Sequence, residues 1–427
     1  MDGVTVMDRA LLDGVRTVPE EGGKRVAGRL AGIDVARGLA VLGMYAVHVG
    51  PDPAKGGIGV LFKPFEGHSA ALFAVLAGVS IALMSGGRRP KQGRDRTRVA
   101  LKLATRAPLL VALGLWLTSL ETGYMVILAY YGACFLFVIP WLRAGAKALA
   151  IAAVVVAVAG PLLSHLIRAQ LLPRDLLFFA PDLTADDVTS TGLLKAATVL
   201  VLTGTFPALT LMAYVFAGMA IGRMDLTSRS VCRRLFFGGS ALAVGGYVVS
   251  WIATGPLGGM QAVYRSLEPA AAQLGMTPQE FLRLHQTWIH GTPPTTSWAW
   301  ELLPTGTSYT PFDLLISIGI AAAVIGGCQL LMPKFERVLR PLSDLGGRVL
   351  SAYVLHFVAI ALLWDESDGD SIFSVLHFVE FSVVALTAAV LWRKFVGRGP
   401  LEWAMNKLSN WPKYVMAVAR VPAQRRG

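Results

Sequence analysis

Long apolar runs dominate this chain: they recur near residues 31–50, 67–86, 99–119, 124–142, 147–166, 197–222, 234–254, 312–332, 349–364 and 372–392. A transmembrane helix needs about 20 predominantly apolar residues, so the chain reads as all-α, a polytopic membrane helix bundle of about ten spans. Composition supports this, with 54% of 427 residues hydrophobic and 15% charged, against about 25% charged in ordinary globular chains. A soluble enzyme is excluded. The net charge of +12 would suggest nucleic acid in a soluble protein, but the basic residues sit between apolar blocks. No soluble module is left to read a groove.

The basic residues set an orientation. With the N-terminus in the cytoplasm, 31 of the 39 Lys and Arg fall in cytoplasmic connections and 7 in the opposite ones, with Arg37 inside the first span. The positive-inside rule then expects both termini in the cytoplasm. Residues 1–30 form an N-terminal tail before an uncleaved anchor, 31–394 the membrane domain, and 395–427 a C-terminal tail. The acidic run Asp365, Glu366, Asp368, Asp370 falls outside. Two outer segments, 167–196 and 255–311, are too long for turns. The second contains a helix start, with Thr277 as N-cap, Pro278 in the first turn and Glu280 closing a capping box. It is expected to pack as a lid, while Trp288, Trp298 and Trp300 suit either the lid or a headgroup belt. Cys134, Cys232 and Cys328 have no spacing that implies a disulfide framework or a metal site.

Ionisable groups inside spans call for a reason, because each costs about 2.5–3.5 kcal/mol at a helix centre. The first span holds Asp34, Arg37 and His48 on one face, with Arg37 and His48 about 16 Å apart. They form one polar stripe from the inner half to the outer end. Glu66, His68 and Ser69 open the second span at the level of His48, and Arg348, Tyr353 and His356 lie on the ninth. Neutral imidazoles can serve as general bases near neutral pH. Structural alternatives exist for each: Arg37 snorkelling with Asp34, His48 at an interface, His68 at a helix start, His356 bonding between helices. Asp313 and Glu380 raise the same question more weakly. His165, His285, His290 and His377 lie near outer ends with no i, i+4 pair, so no metal is expected. There is no GxGxxG after a strand, no P-loop and no GxSxG elbow.

The stretch from Arg29 to His48, with Asp34-x-x-Arg37 and Arg37-x10-His48, resembles the first helix of the transmembrane acyltransferase superfamily, including the acyltransferase-three family. Phe73 to Ser80, Ile127 to Gly132, Ala217 to Leu226, Leu345 to Arg348 with Tyr353-x-x-His356, and Arg398 to Trp403 resemble the heparan-α-glucosaminide N-acetyltransferase family and the related domain-of-unknown-function 418 family. The resemblance implies acyl transfer across the bilayer from cytoplasmic acyl-CoA, with acetyl-CoA the default. The acceptor would be a hydroxyl or amine of an extracytoplasmic glycan or glycolipid. Arg37 matches a donor-side arginine and His48 a catalytic histidine, with Asp34 orienting Arg37. His68 competes for the catalytic role, because the heparan enzyme's histidine lies between the first two helices. Glu66, Ser69, Tyr353, His356 and Arg348 are candidate acceptor-side contacts, and Arg88, Arg89 and Arg106 could meet the phosphates of CoA.

Richness in Ala, Gly, Val and Arg points to a bacterial inner membrane and an envelope acceptor. Expected partners are membrane lipid, acyl-CoA and that acceptor, with a homodimer left open. A transporter or flippase of an envelope lipid is the rival reading, and a scaffold for envelope assembly is a third. The sequence shows no Gly- or Pro-broken helices in matching positions of two halves, the mark of many transporters.

Overall fold

The structure is a computed structural model that describes residues 30–171, 182–190, 192–285, 291–364 and 372–410. The expected tail before Leu30, Arg174, Trp288, His290, the acidic run at 365–370 and the chain beyond 410 lie outside the described residues, as does the side chain of His285. The described helices all lie in one compact unit that begins at Ala31.

Among the described residues the regular structure is entirely helical. In chain order the α-helices are α1 Ala31–His48, α2 His68–Met84, α3 Gly93–Thr118, α4 Leu128–Phe137, α5 Ala146–Leu171, α6 Ala185–Thr189, α7 Leu193–Thr198 and α8 Ala208–Gly222. They continue with α9 Arg229–Thr254, α10 Gly259–Gln273, α11 Pro278–His285, α12 Pro311–Leu331, α13 Glu336–Gly346, α14 Val349–Leu363, α15 Val375–Phe395 and α16 Pro400–Ser409. Lipid offers no hydrogen bonds, so the apolar runs satisfy their backbone within each helix. Among the described residues six helices are long and apolar enough to cross a membrane, and up to eight if each of two bent pairs is one span. α1, with Asp34, Arg37 and His48, and α4, with ten residues, fall outside that set.

The two bent pairs correct the expectation of unbroken helices. The run read as 197–222 is α7 plus a π-turn, then α8, with a 54° bend between the halves. Pro207 explains the break: it has no N–H and pushes the preceding residue out of helical geometry. The second bend, 70°, separates α13 from α14. α13 carries Glu336, Arg337 and Arg340 on an amphipathic helix that packs on α1.

Close helix contacts rest on glycine. A side chain at Gly239 of α9 would meet the Gly319 carbonyl of α12 at 2.5 Å, and one at Gly319 would meet the Gly239 carbonyl at 2.6 Å. Gly218 of α8 sits directly on the Val75 carbonyl of α2, and Gly346 of α13 on the Asp34 carbonyl of α1. With no hydrophobic drive between helices in lipid, backbone approach over small residues is what holds them.

One end of the bundle is drawn together by Arg223. Its guanidinium donates to the carbonyls of Ala82, Gly87, Leu142 and Ala144 and to Ser85 Oγ, at 2.8–3.2 Å. At the same end Arg393 meets Asp344 at 2.6 Å and Glu402 accepts from the Ser351 amide at 3.0 Å. The opposite end carries the lid. Thr277 and Glu280 form the expected capping box, each accepting from the other's backbone N–H. Trp300 is fully buried in a cluster with Val263, Leu267, Ala271 and Phe281, whereas Trp298 stays half-exposed against His165, centroids 4.0 Å apart. His165 in turn bonds Glu301 at 3.0 Å, tying the lid to α5. Trp300 is therefore a core residue of this segment, whereas Trp298 is not.

Candidate active site

α1 ends at His48, and α14 brings His356 beside it, with His48 Nδ1 3.0 Å from His356 Nε2. His356 Nδ1 faces the Tyr353 carbonyl. A carbonyl only accepts, so Nδ1 of His356 carries hydrogen and, in the neutral ring, its Nε2 is a lone pair. That lone pair must receive hydrogen from His48 Nδ1. It follows that Nε2 of His48 is an unprotonated, basic nitrogen, and no hydrogen bond to it is recorded among the described residues. His356 is 3% exposed, while His48 is half-buried. Chemically the arrangement can serve as an orienting group and a base: a proton taken up at His48 Nε2 would leave Nδ1–H donating to His356, which accepts.

Aromatic rings fix this dyad. Tyr124 stacks on His48 with centroids 4.4 Å apart and planes at 19°, and its hydroxyl donates to the His48 carbonyl. Burial pushes the Tyr124 phenol up, so it remains a donor. Tyr45 and Tyr353 flank His356 at 5.3 and 5.4 Å, and Tyr353 Oη accepts from the Ile127 amide at 3.3 Å. Close to Tyr353, Asp182 accepts from Thr205 and from the Val126 amide, and burial raises its carboxyl above the usual range.

His68 occupies a different environment. Ser317 Oγ donates to Asp313 at 3.1 Å, so it accepts from His68 Nδ1 at 2.8 Å, and Tyr247 Oη donates to His68 Nε2 at 3.1 Å. Both ring nitrogens are occupied and the ring is 9% exposed. This hydrogen-bonded tie joins α2, α9 and α12, and it gives Asp313 a partner as well.

The remaining predicted residues separate into groups. Arg37 bonds Asp34 at 2.8 Å and Ser80 Oγ of α2 at 2.7 Å, so both face inward. The stripe from Arg37 to His48 is not open, because Val41 and Met44 on the same face are 0% and 6% exposed. Ser69 donates to the Phe65 carbonyl at 3.0 Å, and Glu66 packs its backbone on Gly306. Arg348 donates to the Asp344 and Gly397 carbonyls. Arg88 pairs with Asp225 at 2.8 Å and rims a depression of about 540 Å³ with Arg223 and Arg234. Arg89 is exposed, and Arg106 is tied to Ser409 at 3.2 Å, away from that depression. A second cavity of about 490 Å³ lies between α14 and α15, with Arg348, Tyr45, His356 and Trp364 in its wall. Sequence reasoning missed Tyr124, a neutral loop residue with no motif, and the pairing of two histidines 308 positions apart.

Comparison with known families adds a second line. Residues 29–237 match the model described as heparan-alpha-glucosaminide N-acetyltransferase, catalytic, and residues 285–412 match that of a protein of unknown function, DUF418. No curated protein matches the chain. His48 lies in the first match and His356 in the second, so the dyad joins the two matched stretches. The acyltransferase-three motif is not among the matches. The chain is a multi-pass membrane protein, and the two matches together support a heparan-α-glucosaminide N-acetyltransferase-like / DUF418 family and point to a membrane acyltransferase.

Proposed function

We propose that this protein transfers an acyl group, acetyl by default, from cytoplasmic acyl-CoA to a hydroxyl or amine of an extracytoplasmic glycan or glycolipid in a bacterial inner membrane. The contact of His48 Nδ1 with His356 Nε2, whose Nδ1 faces the Tyr353 carbonyl, is the observation that carries this reading, because it leaves Nε2 of His48 as the basic nitrogen. The free base removes a proton from the acceptor as its oxygen or nitrogen attacks the thioester carbonyl. The carbon–sulfur bond breaks, the thiolate leaves, and the imidazolium returns the proton to the sulfur. His68, with both nitrogens engaged, acts as a structural tie in this scheme. With both termini in the cytoplasm, as the Lys and Arg distribution expects, the arginine-rimmed depression falls on the donor side, where Arg88 and Arg234 meet the CoA phosphates. Arg37 and Asp34 cross-link α1 to α2 below the dyad. Val41 and Met44 close the direct stripe, so the donor arm reaches His48 after those side chains move aside.

The test is loss of acetyl-CoA thioester by purified protein supplied with glucosamine or an envelope extract. His48→Ala is expected to abolish turnover in a protein that still folds in detergent, and near-wild-type turnover in that variant removes His48 from the mechanism. The two bent helix pairs favour the transporter reading. Acetyl-CoA binding without thioester loss for any acceptor decides in its favour.

A further inference from the structure

The cavity between α14 and α15 is not explained by donor chemistry. It extends from Arg348 to Leu363, about 22 Å along α14. Its walls are apolar, and Ala359, Ala385 and Ala388 open the space where larger side chains would close it. Ala389 is the one buried residue of α15 among those described, so this helix stands off α14 and leaves the groove accessible from the side. The basic end is closed: Arg348 bridges the Asp344 and Gly397 carbonyls, and α16 is fastened to α14 through Glu402 and Ser351. An occupant therefore enters laterally, from hydrocarbon. Away from the closed basic end, His356 and Glu380 are among the polar groups in the wall. His356 connects it to the dyad, and Glu380 lines it about 8 Å into α15, exposed and with no ion pair or hydrogen bond among the described residues. An unpaired carboxylate at membrane depth is costly unless a ligand pairs with it.

We infer that the groove binds the hydrocarbon tail of a membrane lipid whose head group carries an ammonium donor for Glu380, and that this lipid is the acceptor presented to the dyad. The acceptor assignment rests on the proposed transferase function; the lipid site does not. A phosphatidylethanolamine with a diazirine in one acyl chain, and a phosphatidylglycerol with the same tail, would be irradiated with the full-length protein in nanodiscs and the labelled peptides mapped. The amine lipid should label the facing walls of α14 and α15 at least about fivefold over the exposed faces of α5 and α9. Ala388→Phe should reduce that labelling by a similar factor, with Val384→Trp as a second groove-filling variant if the first melts early. Glu380→Gln should abolish the preference for the amine head group and leave tail labelling in place. Even labelling over α5, α9 and α15, or no head-group preference in the wild type, overturns the site. With the labelling as expected, radiolabelled acetyl groups should appear in organic-extractable aminolipid. Label confined to water-soluble glucosamine overturns the acceptor assignment, and absence of any thioester loss counts against the transferase reading instead.

Discussion

Removing His356 while keeping His48 tests the tautomer argument directly. His356→Ala deletes the acceptor for His48 Nδ1–H, a 3.0 Å contact that becomes a hydrogen bond to a charged group when His48 takes a proton. Such bonds contribute about 1.5–3 kcal/mol, which corresponds to a fall in turnover of about 10- to 150-fold. His48→Ala removes the base itself, worth about 10²–10⁴. Because His356 acts only through His48, the double variant should be no slower than His48→Ala alone. Free thiol released from acetyl-CoA, followed at saturating donor, gives the three rates, and His356→Gln, which offers a carbonyl acceptor, should recover part of the loss. The pH profile should move for His356→Ala, since the cation on His48 loses its partner, whereas a purely structural role would lower the amplitude alone. Multiplicative losses in the double variant, or full activity of His356→Ala, refute the dyad.

Other perturbations test the frame around it. Arg223→Leu leaves the buried Leu142 carbonyl without its donor, at about 1–3 kcal/mol, and cuts the links to Ala82, Gly87 and Ala144, so thermal melting in detergent should show a lowered Tm. Gly218→Leu drives a side chain into the Val75 carbonyl, and overpacking of this kind costs about 1–3 kcal/mol or more, read as a lowered Tm. Thr277 holds the Glu280 carboxyl below its ordinary range through backbone and side-chain hydrogen bonds. The capping box should therefore protect the α11 amides from exchange fully above about pH 4.3 and lose that protection as the pH falls through the lower folded value. Thr277→Ala should remove the dependence. Tyr124→Phe keeps the stack on His48 but loses the hydroxyl bond, so a modest drop in turnover is expected, and Tyr124→Ala should cost more.

Much of this architecture is written in local pattern. The helices follow from apolar runs of bilayer length, since lipid leaves the backbone no other partner, and the lid's start was legible because Thr277, Pro278 and Glu280 satisfy their own neighbours. The breaks at Pro207 and at the α13–α14 junction were also present as local chemistry, though an apolar run hides them when only hydropathy is read. Asp34 and Arg37 could be paired by helical spacing. What the sequence could not supply is which distant side chains meet. His48 and His68 look equivalent along the chain, because each is an imidazole near a helix end. Only the packing of α14 on α1, and of α9 and α12 on α2, leaves one ring with a free nitrogen and gives the other two partners. A hydrogen's position on an imidazole depends on the acceptor opposite it, and that acceptor is chosen by tertiary contact. The same holds for the groove, an absence of packing between two helices whose sequences each read as ordinary spans.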